Sequence, residues 1–120
     1  MINWQWSSFD DLDQVSWHLI GWSEGTYKKK IIAYLRVVFP GKKFTEPSIG
    51  RVLVIPESRK QGLGKKLTAE AIARIAVEYP NSTIRISAQQ YLEKFYSALG
   101  FRTVSKPYKE DGIPHIEMLR

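Results

Sequence analysis

The alternation of apolar and polar positions divides the chain into short segments. Residues 3–7 alternate polar and aromatic side chains, and later segments are runs rich in branched and aromatic residues. Runs of this length and composition are typical of β-strands. The predicted strands are residues 3–7, 17–22, 30–39, 48–55, 83–88, 101–108 and 113–119.

The period changes between the fourth and the fifth predicted strands. Apolar residues recur every four positions from Leu63 to Ile75, with Ala76 beside them and charged residues on the other side. This pattern predicts an amphipathic helix of about four turns, which Pro80 ends. Residues 91–99 predict a second, shorter helix with Gly100 in the C-cap position.

The order of these elements predicts a mixed α/β (α+β) fold. Four predicted strands precede the long helix, and the last two strands are joined by Asp111-Gly112, a pair that favours a hairpin turn. We therefore expect a mostly antiparallel sheet with a central parallel crossover of strand, helix and strand. Because residues 48–55 are almost all apolar, we expect that strand to be central and buried on both faces.

Length and composition predict one globular domain over residues 1–120. The chain is 43% hydrophobic and 25% charged and has no cysteine, which excludes disulfides and thiolate zinc sites; we predict no metal. No apolar run reaches the ~18 residues of a membrane span. The N-terminus also lacks the pattern of a signal peptide. We therefore expect a cytoplasmic protein without a membrane partner.

The net charge of +6 favours an anionic partner, and the loop before the long helix indicates which kind. The amides at a helix start have no intrahelical partner, and with the helix dipole they stabilise a phosphate. Glycine in such a loop lets the anion approach the backbone. The loop therefore predicts a pyrophosphate site. Its glycines and basic residues are Arg59, Lys60, Gly62, Gly64, Lys65 and Lys66.

Three other anion-binding classes fit less well. The spacing of Gly62 and Gly64 is not that of a P-loop. Leu67 occupies the position of the last glycine in a dinucleotide fingerprint, and no acidic residue ends a following strand about twenty residues further on. The four tryptophans lie near the start of the chain, away from the basic loop, whereas nucleic-acid grooves interleave aromatic and basic residues. We therefore expect no nucleic-acid partner.

Two motifs resemble those of the GNAT family of acetyl-CoA-dependent N-acetyltransferases. Arg59-x-x-Gly62-x-Gly64 matches the family pattern R/Q-x-x-G-x-G/A, and the sequence FYSALGF at residues 95–101 matches FYxxxGF. Residues 49–52, 88–89 and 111–116 look more narrowly like the ElaA-like subgroup. The resemblance implies the GNAT fold. It also implies direct transfer of an acetyl group from acetyl-CoA to a primary amine of a small molecule or protein.

The resemblance also implies roles for individual residues. In similar proteins the fourth strand pairs with the pantetheine arm, here at Val52, Leu53 and Val54. Gln89 stands where many relatives carry a cofactor-contacting Asn. Tyr96 aligns with a tyrosine assigned as the general acid for the leaving thiolate, although the residues alone also allow a core tyrosine. The implied pyrophosphate loop consists of Arg59, Lys60, Gln61, Gly62, Leu63, Gly64 and Lys65.

The base that deprotonates the amine is less defined. A lysine-like amine with a pKa of ~10.4 is neutral in about one of 10³ molecules at neutral pH, so a base must assist. Many relatives carry a Glu on the fifth strand, but this strand has no carboxylate. The candidates are His115, Glu117, Glu46 and Glu93, or a relayed water. His115 is preferred because an unperturbed histidine titrates at ~6.5. Alternatively, His115 has only a structural role.

The N-terminal half departs from the family pattern. In similar proteins two helices follow the first strand and wall the acceptor pocket, and the acidic segment at residues 10–14 leaves no room for them. Either the protein is a shortened variant or a segment is omitted there. An alternative function is therefore a non-catalytic acyl-CoA-binding module of the same fold. The expected partners are acetyl-CoA and an amine, and the sequence is compatible with a homodimer.

Overall fold

The computed structural model describes residues 2–7, 16–24 and 29–120, and these form strands and helices in the predicted order. The abbreviated segment at residues 10–14 lies outside the described residues. The first strands are β1 (Ile2–Ser7), β2 (Ser16–Glu24), β3 (Lys29–Val38) and β4 (Ser48–Val54). After a 3₁₀ turn (Pro56–Gln61) come α1 (Leu63–Glu78), β5 (Arg85–Gln89), a 3₁₀ turn (Gln90–Leu92), α2 (Glu93–Ser97), β6 (Arg102–Thr103), β7 (Tyr108–Glu110) and β8 (Ile113–Leu119).

The strands form two antiparallel sheets. The first has the order β1-β2-β3-β4, so each strand pairs with its neighbour in the chain. In the second, β8 pairs with β5 along one edge and with β6 and β7 along the other. This arrangement confirms the mixed, mostly antiparallel α/β fold.

The two sheets meet at β4 and β5, which α1 connects. The Arg85 N–H donates a 3.1 Å hydrogen bond to the carbonyl of Pro47, which joins the beginnings of the two strands. Beyond that bond, no ladder joins β4 to β5 within residues 29–120. The predicted parallel crossover is thus present, but its two strands pair only where they start.

The prediction that β4 is buried on both faces is wrong for the second half of the strand. Ser48 and Ile49 are buried, but Arg51 is exposed and Leu53 is 62% exposed. β4 is the edge strand of the first sheet, so its backbone on one side meets no further strand. Val52 and Val54 still pack against the core.

Helix α1 covers one face of the first sheet. Its buried residues include Leu63, Leu67, Ala71 and Ile75, which confirms the predicted four-residue period. Ala76 is exposed, so its predicted place beside this face is wrong; it lies 100° around the helix from Ile75. No helix of the described chain has the length and apolarity needed to cross a bilayer.

Aromatic residues of the N-terminal strands hold the last turns of α1. Trp17 stacks on Tyr79 at a centroid distance of 5.9 Å and meets Trp6 edge-on at 6.3 Å. The Arg74 guanidinium lies over both indoles, 5.3 Å from the Trp6 ring and 4.8 Å from the Trp17 ring. These two tryptophans therefore stabilise helix packing.

The predicted strand at residues 101–108 is interrupted, whereas the hairpin after it is confirmed. Ser105 accepts a 2.8 Å hydrogen bond from the Glu117 N–H through its side chain, and Pro107 has no N–H to donate. This part of the chain therefore pairs with β8 only through the short strands β6 and β7. The turn residues Asp111 and Gly112 have φ values of 53° and 76°, as a tight hairpin turn requires.

The close packing of β1 on β2 generates a stability prediction at Gly21. A Cβ atom there would lie 2.7 Å from Trp4 Cζ3 and 3.2 Å from Ala33 Cβ. We expect Gly21→Ala to lower the free energy of unfolding by about 1–3 kcal/mol, measured by urea denaturation. Gly50→Ala is the control, because nothing lies within 4 Å of its added Cβ. Equal stability of the two variants would contradict this packing.

Candidate active site

A cleft of about 750 Å³ lies where β4 and β5 separate. One wall is formed by residues 48–54 of β4, and the other by residues 87–89 of β5 together with Tyr96 and His115. This volume is in the range of small-molecule sites, roughly 300–1,000 Å³. The cleft also reaches Arg59 in the loop before α1.

A β-bulge in β4 shapes the first wall. Tyr34 pairs with Leu53 and Arg36 with Gly50, so two residues of β4, Arg51 and Val52, stand opposite one residue of β3. Arg51 has a φ of 54°, an uncommon conformation for a residue with a side chain. Bulges bend a strand and redirect its side chains. The sequence does not predict this bulge, because an arginine carries no signal for it.

The pairing with β3 determines which backbone groups of β4 face the cleft. Val54 is opposite Ala33, and the next N–H, that of Ile55, donates a 2.9 Å bond to the Ile32 carbonyl. Backbone groups alternate in direction along a strand. The N–H and C=O groups of Val52 and Val54 therefore point away from β3, into the cleft. Leu53 bonds toward β3 and lines the cleft with its side chain.

One of these cleft-facing groups already has a partner. Arg59 Nε donates a 3.0 Å hydrogen bond to the Val54 carbonyl. This bond ties the loop before α1 to the end of β4. The Val54 N–H and both backbone groups of Val52 are left to face the cleft.

The loop leads into an uncapped helix start. The 3₁₀ turn ends at Gly62, whose φ is 71°, and no side chain of the described residues caps α1. The N–H groups of Leu63, Gly64 and Lys65 therefore lack intrahelical partners. Leu63 is buried as a whole residue, whereas Gly64 is partly exposed and Lys65 is exposed, so Gly64 and Lys65 provide the accessible amides.

The surroundings of this helix start are open and positively charged. Nothing lies within 4 Å of a Cβ built on Gly62. Arg59, Gln61 and Lys65 are exposed, whereas the side chain of Lys60 lies outside the described part of the structure. Uncapped amides beside exposed cations fit a pyrophosphate.

The two loop glycines differ in their role. Gly62 adopts a left-handed conformation that glycine accepts without strain. A Cβ on Gly64 would lie 3.6 Å from Phe95 Cζ, which is an ordinary contact. Gly64 therefore brings the first turn of α1 against α2 rather than providing an unusual φ.

A C-capping motif holds Tyr96 in place. The Phe101 N–H donates to the Tyr96 carbonyl (3.1 Å), and the Gly100 N–H donates to the Ser97 carbonyl (3.0 Å). Gly100 has a φ of 95°. These bonds define a Schellman motif, which is accompanied by an apolar contact between its ends. That contact is Phe101 against Tyr96, edge-on at 5.7 Å. The predicted cap at Gly100 is confirmed.

The Tyr96 hydroxyl is a neutral proton donor. Tyr96 is 7% exposed and lines the cleft. Burial, with a smaller contribution from Tyr91, raises the pKa of Tyr96 to about 12. The hydroxyl therefore keeps its proton throughout the neutral range.

The tautomer of His115 follows from its hydrogen bond. His115 lies in β8 between Gln89 of β5 and Tyr108 of β7. Its Nδ1 is 2.8 Å from the Ile113 carbonyl oxygen. That oxygen can only accept, so Nδ1 carries the proton. Nε2 then has the lone pair that could accept a proton, and it lies 3.4 Å from Glu110 Oε2.

Two of the other base candidates are tied to Arg85. Arg85 Nε is 3.2 Å from Glu46, and Arg85 Nη1 donates a 2.8 Å bond to Glu117. The hydrogen bond from Arg85 holds the pKa of Glu46 below its usual value. Both carboxylates line a second depression and do not contribute to the lining of the cleft described here.

The last carboxylate candidate is also engaged elsewhere. Glu93 accepts a hydrogen bond from the Thr103 hydroxyl and is not part of the described cleft lining. Of the four candidate side chains, the structure therefore brings only His115 into the cleft. Gln89 lines the cleft beside it.

The residues around His115 were not among the predicted site residues. Glu110 and Asp111 line the cleft, and Ser87 bonds the Tyr108 hydroxyl. A signal was available, because a two-residue turn at Asp111-Gly112 fixes the hairpin register and places Tyr108 opposite His115. Residues 2–7, 16–24 and 29–120 contain no cluster of three metal-ligating side chains.

Comparison with known proteins defines the family. The acetyltransferase (GNAT) domain model matches residues 26–120. The chain therefore belongs to the GNAT acetyltransferase family and is an acyltransferase.

The relatives agree with this assignment. A UPF0039 protein of Synechocystis sp. is 44% identical over 110 residues, which are 92% of this chain and 70% of the relative. ElaA of Escherichia coli is 32% identical over 111 residues, again 92% of this chain and 70% of the relative. The resemblance to the ElaA-like subgroup is thus confirmed.

Solved structures show the same fold. The crystal structure of Escherichia coli ElaA superposes with a TM-score of 0.84 at 25% identity, covering 100% of this chain and 99% of that one. An acyl-CoA N-acyltransferase of Pseudomonas aeruginosa superposes with a TM-score of 0.80 at 36% identity, covering 92% and 73%.

The raised pKa of Tyr96 generates a prediction. Tyr96→Phe should remove a phenolate absorbance change centred at about pH 12 from an alkaline titration. The unfolded chain loses this proton near pH 10, so the Tyr96 contribution to stability should fall between about pH 10 and 12. If the absorbance change that Tyr96→Phe removes is centred near pH 10 instead, this result would contradict the burial of the hydroxyl.

Proposed function

We propose that the protein transfers an acetyl group from acetyl-CoA directly to a primary amine of a small molecule or protein. One observation carries the proposal. A single cleft reaches the loop before an uncapped helix start and has Tyr96 and His115 along one wall. The GNAT family assignment supports this choice over a non-catalytic acyl-CoA-binding module.

The residues present fit coenzyme A. The amides of Gly64 and Lys65 and the cations at Arg59 and Lys65 suit the pyrophosphate. The cleft-facing groups of Val52 and the Val54 N–H suit an extended pantetheine arm, which can pair with an unpaired strand edge as a peptide does. Gln89 lies across the cleft from them.

His115 and Tyr96 provide opposite proton functions. Acetyl-CoA supplies a thioester whose acetyl group an amine can accept. His115 Nε2 accepts a proton from the acceptor amine, because Nδ1 already carries a proton toward Ile113. Its neighbour Glu110 is placed to pair with the imidazolium that results.

The pKa of Tyr96 limits what its hydroxyl does. A hydroxyl with a pKa of about 12 is a weaker acid than an ordinary thiol, whose pKa is about 8.5, so full proton transfer to sulfur is unfavourable by more than 10³-fold. Tyr96 therefore stabilises the departing thiolate by donating a hydrogen bond. This role needs a neutral phenol, which burial maintains.

A thiol assay tests the proposal. CoA release from acetyl-CoA should depend on an added primary amine, and Tyr96→Phe should lower kcat by about 10²-fold with little change in CoA affinity. Tyr79→Phe is the matched control, because Tyr79 packs on Trp17 away from the cleft. Binding of acetyl-CoA without turnover on amine, polyamine and peptide panels would favour the binding module. An unchanged rate in Tyr96→Phe would assign Tyr96 to packing alone.

A second variant tests the phosphate loop. Gly62→Val should weaken CoA binding at least about tenfold, measured by isothermal titration calorimetry, because a β-branched residue is strained at a φ of 71° and covers the amides. Gly41→Val is the control. Gly41 has a φ of 81° and equally open surroundings, but it lies in the loop before β4. Equal affinity of the two variants would refute the phosphate assignment.

A further inference from the structure

A second group of cations lines the cleft at the end opposite the phosphate loop. Arg36 of β3 stands beside Gly50 in the sheet, Arg51 forms the bulge, and Lys43 lies in the loop before β4. All three residues line the cleft, and Lys43 also lines the second depression. They therefore bring positive charge to the start of β4.

Lys43, which precedes β4, is too far from the loop to serve the pyrophosphate. β4 runs for seven residues from Ser48 to Val54, and a strand rises by about 3.3 Å per residue, so its ends are roughly 20 Å apart. The helix start follows the far end. Lys43 and Arg36 thus lie beyond the part of β4 that faces the pantetheine arm in the proposed function.

The charges of Lys43 and Arg51 are available to a ligand. Neither Lys43 nor Arg51 forms a salt bridge with a residue of the described chain, and Lys43 lies 5.5 Å from the Phe44 ring centroid. Across the cleft, the β7–β8 hairpin presents Glu110 and Asp111 beside His115. One wall is therefore cationic, and the other combines carboxylates with the candidate base.

We propose that the acceptor is a small molecule that carries both a primary amine and a carboxylate, as a free amino acid does. This inference rests on the proposed function. The carboxylate faces Lys43 and Arg51, and the ammonium faces Glu110 and His115. The cleft of about 750 Å³ must also hold the pantetheine arm, which leaves space for a small acceptor.

The transfer balances with no further reactant. A carbon–nitrogen bond forms between the acetyl carbon and the amine, and the carbon–sulfur bond breaks with its electron pair staying on sulfur. An ammonium acceptor gives up two protons. One passes through His115 Nε2 to solvent, and the other ends on the CoA thiol.

Matched acceptors test the inference. Lysine and lysinamide carry the same two amines, but lysinamide has an uncharged amide in place of the carboxylate. Putrescine is ornithine without its carboxyl group. We expect kcat/KM to be at least about tenfold higher for each amino acid. Equal values, or a preference for lysinamide, putrescine or basic peptides, would overturn the inference.

A variant that removes one positive charge tests whether Lys43 causes the preference for a carboxylate. Lys43→Gln should raise the KM for lysine by about tenfold and leave the KM for lysinamide and the CoA affinity unchanged. The neighbouring Lys42→Gln is the matched control, because Lys42 is exposed and outside the described cleft lining. A loss of CoA affinity in Lys43→Gln would overturn the inference by assigning these cations to the cofactor.

A binding measurement separates the two proposals. If no amine is acetylated, the proposed function fails, but calorimetry on the CoA-saturated protein still measures binding at the acceptor site. We expect Nα-acetyl-lysine to bind more tightly than Nα-acetyl-lysinamide, and Lys43→Gln to remove the difference. Equal binding of the two compounds to the wild-type protein would overturn the inference.

Discussion

The structure depends on the incomplete pairing of β4 with β5. One backbone hydrogen bond, from Arg85 to Pro47, joins the beginnings of these strands, and beyond it the edge of β4 has no partner strand in the described chain. An unpaired edge normally has to be protected or used, because buried backbone groups need hydrogen-bond partners. Here it faces a cleft that reaches the loop before an uncapped helix start. Both features present backbone donors to the cleft, as the proposed acetyl-CoA site requires.

The side chains proposed to take part in the reaction, Tyr96 and His115, lie outside the edge of β4. Local structure fixes their positions. The Schellman motif at Gly100 packs Phe101 on Tyr96 and buries the phenol, which raises its pKa to about 12 and makes it a hydrogen-bond donor. The carbonyl of Ile113 sets the tautomer of His115 and leaves Nε2 as the acceptor. In the proposed function, these surroundings make His115 the proton acceptor and Tyr96 a hydrogen-bond donor.

Much of this fold was predictable from local sequence patterns. The four-residue period of α1 and the Asp111-Gly112 turn carry their own signals, and both are confirmed. The predictions that failed concern features that depend on tertiary context. The apolar run of β4 indicated burial on both faces, but the bulge at Arg51 and the separation from β5 expose Arg51 and Leu53. The base candidates could not be ranked by sequence alone, because only the fold pairs Glu46 and Glu117 with Arg85.

The most direct test of the β4 edge as a cofactor site is amide hydrogen exchange by NMR with and without CoA. Strand alternation predicts that CoA slows exchange at Val52 and Val54, and the open helix start predicts the same for Gly64 and Lys65. Leu53 bonds toward β3, so its exchange should change little. Protection confined to the second depression around Arg85, with Val52 and Val54 unchanged, would contradict this account.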